Sequence, residues 1–369
     1  MTDSPELVGA APSTALAPAV PRTLLERAWY GTPPPGFNAI APFLRATGWL
    51  VGRGSAIRNR LFDSGRLRAT KVDARVISIG NLVVGGAGKT PVVMELARQL
   101  LARGKRVAVI SRGYGGSGRS PLVSDGAKIF QGARECGDEP LLIAKRVPEA
   151  LVLVGANRVN VAREAIAKHG AQVILLDDGF QHRHLARDED VLVLGGSAPV
   201  GNGMLLPAGP LRESIAGTKR ATVAWLANGA ERANLPELPA RRVVSRHRAI
   251  DIVDWNMRES LGSGFILGKR VFLLAGLARP QGFAETVVGL GAQLAGCALF
   301  RDHHAYTSEE IAHVVARAQH AGAELVVTTE KDAVRLEKTQ NTALPIVAVR
   351  MDVEVLEGQE VIAGLVDAC

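Results

Sequence analysis

The chain has 369 residues, 47% of them hydrophobic, with a formal net charge of +8; this excludes a mostly disordered polymer and gives length enough for two domains. Aromatic residues make up only 4%, too few for a platform that stacks single-stranded nucleic acid. Cys136, Cys297 and Cys369 are scattered without CxxC spacing, which excludes a disulfide framework or a cysteine zinc site and fits a reducing compartment.

Residues 1–36 carry Pro5, Pro12, Pro18, Pro21 and the run Pro33-Pro34-Pro35 among Ala and Ser. They read as a disordered tail, without the cationic start, apolar stretch and cleavage site of a secretory signal. Residues 37–72 form a basic amphipathic segment in which Phe43, Trp49, Leu50, Val51, Ile57, Leu61 and Phe62 alternate with arginines. Arg45 and Arg53 interrupt any apolar run long enough to span a bilayer. From Arg45 to Lys71 seven basic residues face one acid, Asp63, so six of the chain's eight net charges lie here. Two readings fit: an interfacial membrane helix over 37–71, or a helix docked on its own domain.

From residue 73 to 230 the pattern is that of an α/β core. Apolar runs at 75–80, 106–111, 150–154, 172–176 and 190–194 predict buried strands, and the segments 91–103 and 157–169 predict helices between them. Such strands belong to a parallel sheet covered on both faces. The polar stretch 228–241 reads as a linker to a second, smaller α/β domain, residues 231–369. That part predicts strands at 271–275, 296–300, 324–329 and 345–350 and helices at 281–292 and 308–321, the latter opened by a Thr307/Glu310 capping box.

The first strand runs into Val83-Val84-Gly85-Gly86-Ala87-Gly88-Lys89-Thr90 and then an apolar helix. Glycines there let successive N–H groups face a phosphate, Lys89 can reach the β- and γ-phosphates, and the Thr90 hydroxyl can bind magnesium. The usual pattern has Gly where this chain has Val83; strand, GKT and helix in order restore the assignment to a P-loop NTPase-like fold. Gly113, Gly115 and Gly118 match a dinucleotide fingerprint, but Arg119-Ser120-Pro121 follows where a helix must open. The segment reads instead as a loop at a strand's end, with Arg112 set for a phosphate or a carboxylate.

Asp177-Asp178 follow an apolar strand directly, the place where a phosphate-loop fold holds magnesium. Gln181, His182 and His184 come next, in what is otherwise a polar loop. Asp138 and Glu139 open a helix, where carboxylates serve as caps or as catalytic acids. His303, in Asp302-His303-His304, is either a surface histidine or a proton acceptor. Thr329-Glu330-Lys331-Asp332 is a salt-linked turn or a site edge.

In this order the segments ISIGNLVVGGAGKTP, VISRGYGG, GDEP, ILLDDGFQH, LLPAGPLRE, DHH and TTEKDAV resemble the tetraacyldisaccharide 4′-kinase family, from about residue 37 to the C-terminus. The resemblance implies transfer of the ATP γ-phosphoryl group to the 4′-hydroxyl of a tetraacylated glucosamine disaccharide 1-phosphate, at the cytoplasmic face of a bacterial inner membrane. It implies that Lys89 and Thr90 serve ATP and Mg2+, that Asp177 and Asp178 serve Mg2+, and that Asp138 and His303 form the catalytic pair. Arg112, Glu139, Gln181, Arg212 and Glu213 lie in matching segments as further substrate-side candidates. The competing reading is a phosphate-loop ATPase or nucleotide switch acting on a protein client. A nucleic-acid binder using the basic stretch is the weakest reading.

Overall fold

The computed structural model describes residues 24–369 apart from 32, 34, 35, 119, 234, 236, 278, 279 and 337–341. Of the expected tail over 1–36, residues 1–23 lie outside the described residues, while Leu24–Tyr30 is a short helix whose Trp29 Nε1 donates to the Pro207 carbonyl at 3.0 Å.

The strands are β1 Arg75–Gly80, β2 Val107–Ser111, β3 Leu122–Asp125, β4 Leu151–Val154, β5 Val173–Asp177, β6 Glu189–Gly195, β7 Val223–Ala227, β8 Arg242–Asp254, β9 Arg270–Ala275, β10 Gln293–Leu299, β11 Leu325–Thr329 and β12 Ile346–Glu357. They form one sheet in the order β10-β9-β11-β12-β8-β7-β6-β1-β5-β2-β4-β3. Pairing is parallel except at β8 with β12 and β3 with β4. The predicted strands are present with ends that differ by at most three residues, except that β12 runs seven residues beyond its predicted end at 350.

Alternate residues of each central strand point to opposite faces. Ile77 and Ile79 pack with Val92, Val93, Leu96 and Leu100 of the helix Lys89–Ala102, while Val76 packs with Val161, Ala162 and Ala165 of the helix Arg158–His169. Both faces of β1 are therefore covered, as continuous apolar strands require.

Two long strands carry the chain from one half of the sheet to the other. The first residues of β8 pair with β7 and the later ones with β12, whose own first residues pair with β11. The helix Gln359–Asp367 then returns, and its Ile362, Leu365 and Val366 complete the core of the first half. The junction is held by charge as well. Arg146, at the end of the helix Asp138–Arg146, donates to Glu330, to the Met351 carbonyl at 3.0 Å and to Asp352 at 3.2 Å. Arg350 Nε donates to Glu330 at 3.0 Å, and Arg98 reaches both oxygens of Asp352 at 2.9 Å.

The basic segment is a helix, Phe37–Asp63. Ala41 and Gly48 form its buried side; a Cβ on Gly48 would lie 3.0 Å from the Leu205 carbonyl oxygen. Phe43, Leu50 and Ile57, seven residues apart, share another face and are exposed. Small residues thus dock the helix while large apolar ones are left outside.

Glu330→Ala would take a carboxylate partner from two arginines at the junction, the buried Arg146 and the half-buried Arg350. Removing one partner of a buried pair costs about 3 kcal/mol. Urea unfolding should show that loss; an unchanged midpoint would show that the junction does not depend on this carboxylate.

Candidate functional site

The phosphate loop leaves β1 and is pinned at its start. Val84 N donates to the Pro210 carbonyl at 2.9 Å, and Arg212 N donates to Leu82 at 2.8 Å. Val83 bridges Leu211 and is buried with it, which gives a packing reason for valine where the usual motif has glycine. Gly85 (φ 104°) and Gly88 (φ 81°) take left-handed conformations, so the loop turns and its helix opens at Lys89 with Thr90 in the first turn.

Asp177 ends β5 and Asp178 follows in a left-handed conformation, φ 53°. Lys89 Nζ lies 3.4 Å from Asp178 Oδ1, and Arg212 donates to Asp178 Oδ2 at 2.7 Å. Burial works to raise the Asp178 pKa, but these two cations outweigh it and hold the carboxyl below its ordinary range. Asp177 is pushed up to about 7, by burial first and then by the charges of Glu139 and Asp178. Ser111 donates to Asp177 Oδ2 at 3.3 Å, while its buried Oδ1 has no hydrogen-bond partner. Asp178 Oδ1 is also buried and faces the Lys89 ammonium.

A chain of polar contacts runs from this pair to the basic helix. Gln181 Nε2 donates to Glu213 at 3.1 Å and to the Asn81 carbonyl at 2.8 Å, and Asn59 of the helix donates to Glu213 at 2.8 Å. Arg58 donates to the Gln181 carbonyl at 2.5 Å. The DGFQH and LRE segments are therefore tied to the end of the helix Phe37–Asp63.

Across the sheet, Asp138 opens its helix, with Gly137 (φ 91°) before it. A Cβ on Gly116 would meet the Glu135 carbonyl oxygen, and one on Gly118 would come within 2.9 Å of it. The glycines of the 113–118 loop thus let it lie against the turn that presents Asp138. His303, φ 60°, comes from the second half of the sheet, and its Nδ1 is 2.9 Å from Asp138 Oδ2. Burial acts to raise the Asp138 pKa; the His303 hydrogen bond and the charges of Lys331, His303 and Arg335 more than reverse it. The same hydrogen bond raises the pKa of His303 above its ordinary value, against burial and Lys331. Lys331 Nζ lies 3.3 Å from His303 Nε2, 3.6 Å from Glu139 and 3.5 Å from Asp302.

Of the sequence candidates, Lys89, Asp178, Arg212, Gln181 and Glu213 are linked directly, and Asp138, His303 and Glu139 form a second group through Lys331. Arg112 is exposed on its loop, where its charge bears on Arg158. Sequence reasoning missed Arg158, a guanidinium only 4% exposed that faces the charges of Asp178 and Asp177. It also missed Arg335, whose Nε lies 3.7 Å from Asp138 and whose Nη1 donates to the His304 carbonyl at 2.9 Å. A cation in the first turn of a predicted helix, where the helix dipole disfavours it, was the available signal for Arg158; Arg335 had none. His182 stands beside Arg158 and is pushed down to about 4, by burial and then by that positive charge.

The chain is similar to known proteins over most of its length. A chain from Anaeromyxobacter sp. (strain Fw109-5), named tetraacyldisaccharide 4′-kinase, is 45% identical over 94% of this chain and 96% of its own length. One of the same name from Syntrophus aciditrophicus is 39% identical over 79% and 83%. The crystal structure of LpxK from Aquifex aeolicus in complex with ATP superposes with a TM-score of 0.72 and 29% identity, covering 89% of this chain and 98% of that one. The family model described as tetraacyldisaccharide-1-P 4′-kinase matches residues 40–369, and the chain belongs to that family.

Proposed function

We propose that the phosphate loop holds ATP and that Asp138 and His303 together take the proton from the acceptor hydroxyl. Family membership makes the chain a kinase of lipid A biosynthesis, acting at the 4′ position of tetraacyldisaccharide 1-phosphate; the alternative of a nucleotide switch for a protein client is not favoured. The site reading is carried by the Lys89–Asp178 pair at 3.4 Å and the Asp138–His303 pair at 2.9 Å, which the charge of Glu139 acting on Asp177 relates to one another.

Phosphoryl transfer asks for positioning and charge neutralisation more than for covalent help. Loop amides and Lys89 are placed to neutralise the phosphates, while Arg212 bonds Asp178 and the charge of Arg158 acts on both neighbouring carboxylates. Thr90, Asp177 and Asp178 fit a magnesium ion: a hydroxyl, an Asp177 oxygen buried without a hydrogen-bond partner and an Asp178 oxygen facing Lys89 are hard donors, and magnesium takes few protein ligands beside phosphate and water. Among the described residues no group of three or more Asp, Glu, His or Cys side chains forms a fuller cage. Bound there, the ion would offset charge on the β- and γ-phosphates.

In the reaction the 4′ oxygen bonds to the γ-phosphorus, the bond to the bridging oxygen breaks, and ADP leaves. The hydroxyl proton passes to the Asp138–His303 pair. With Lys331 facing Nε2, the neutral imidazole donates Nδ1–H to Asp138, and the carboxylate stabilises the imidazolium that forms. Arg112, Glu139, Gln181, Arg212 and Glu213 border the space for the phosphorylated disaccharide.

The exposed face of Phe43, Leu50 and Ile57, flanked by Arg53 and Arg60, is the surface we assign to the cytoplasmic leaflet of the inner membrane. No helix among the described residues is long and apolar enough to cross a membrane. Its hydrogen bonds to Gln181 and Glu213 set the lipid surface beside the acceptor side of the site.

Transfer from ATP to the lipid disaccharide in detergent should be abolished in Lys89→Ala. Asp138→Ala should lower kcat about 100-fold or more while ATP still binds. In the unmodified protein kcat should fall with decreasing pH through an apparent pKa above about 6.5, because the pair accepts a proton only when His303 is neutral; His303→Ala should lose that limb. Normal turnover in Asp138→Ala, or the same pH limb without His303, would overturn the base assignment. Co-sedimentation with vesicles containing anionic phospholipid should drop when Phe43 and Leu50 become serine and Arg53 and Arg60 become glutamine, by about 1 kcal/mol for each arginine alone. Unchanged sedimentation would remove this helix as the membrane contact.

A further inference from the structure

Gly88 precedes the phosphate-loop lysine in a left-handed conformation, and it is also walled in. A Cβ built on it would lie 2.7 Å from Cε1 and 2.9 Å from Nε2 of His247. His247 sits in β8, paired with Val353 of β12, so this ring touches the loop from the ribbon that joins the sheet halves. Asn228, just past the end of β7, fixes the ring. Its Oδ1 accepts from the His247 backbone N–H at 2.7 Å, which identifies the other arm as the amide nitrogen, and that nitrogen donates to Nδ1 at 3.1 Å. Asn228 itself is held at φ 53°, with its N–H bonded to the Ser245 carbonyl at 2.9 Å. Nδ1 is thus an acceptor, the ring proton is on Nε2, and Nε2 is buried without a partner against the loop.

We propose that His247, clamped by Asn228, is a positioning residue for the phosphate loop: its ring fixes Gly88, and through Gly88 the amides and the Lys89 ammonium that receive the ATP phosphates. The proposal rests on the reading of residues 83–90 as the ATP site. It gives the β8–β12 ribbon a direct contact with the loop, in addition to its role in bringing His303 to Asp138. Burial depresses the His247 pKa against the charge of Asp352, so the ring stays neutral and its effect on the phosphates is through geometry.

The test uses the full chain with His247→Ala and Asn228→Ala, the second an exposed side chain whose removal spares the core. ATP binding is measured by calorimetry, and kcat and KM are measured for ATP and for the lipid disaccharide. Misplacing a phosphate-binding loop by a fraction of an ångström should raise the ATP KM and Kd about tenfold in both variants, with kcat at saturating ATP within about threefold of the unmodified protein. A merely structural role would lower Tm and leave that split unmoved. Unmodified ATP affinity in folded His247→Ala, or in Asn228→Ala if the histidine variant does not fold, overturns the proposal. Lys89→Ala serves as the control for the underlying reading: ATP binding retained in that variant would refute the loop assignment itself, whereas binding lost there but kept at 228 and 247 would refute only the role of His247.

Discussion

The antiparallel pairing of β8 with β12 is the constraint on which the rest depends. It is the seam between two parallel half-sheets: one carries the phosphate loop and Asp138, the other carries His303. Asp138 and His303 are 165 residues apart in sequence, and their 2.9 Å contact exists only because the seam sets the halves in register. The buried charges at Arg146 and Glu330 and the half-buried ones at Arg350 and Asp352 lie on this seam. Such a cluster contributes little net stability over an apolar core, yet it penalises any other register severely. A site that requires two lobes to meet within hydrogen-bond distance gains from that penalty.

Local strain marks the same region. Among the described residues, four non-glycine positions have positive φ: Asp178, Asn228, Met257 and His303. Asp178 faces Lys89, His303 faces Asp138, and Asn228 clamps the ring behind Gly88. Asparagine and aspartate tolerate this conformation better than most residues, whereas a histidine there needs its surroundings to hold it. For His303 that support comes from Asp138 and from Arg335, which bonds the next carbonyl in the loop.

Much of this was legible in the chain, for physical reasons. Continuous apolar runs such as Val173–Leu176 sit in a sheet covered on both faces, so they announce themselves without alternation. The acids at their ends follow from the same pattern. Val83 looked like a defect in the loop motif and proved to be a core residue packed on Leu211. What stayed hidden were the half-covered elements. In β8 the sequence Arg-His-Arg at 246–248 gave no apolar run, and the tail of β12 past 350 mixes Asp and Glu with Val, so neither read as the long ribbon they form. The contact of His247 with Gly88 joins a residue in that ribbon to a glycine far off in sequence, and no local pattern encodes it. Arg335 was invisible for the same reason, its partners being Asp138 and the His304 carbonyl.

The central claim is that two residues from opposite sides of the seam act as one proton acceptor. Its most direct test is a double-mutant cycle on kcat with Asp138→Asn, His303→Asn and both together, at saturating ATP and lipid. If the pair is a unit, the double variant is about as slow as the slower single variant. Losses that multiply would show two independent contributions, and would contradict a shared role for Asp138 and His303.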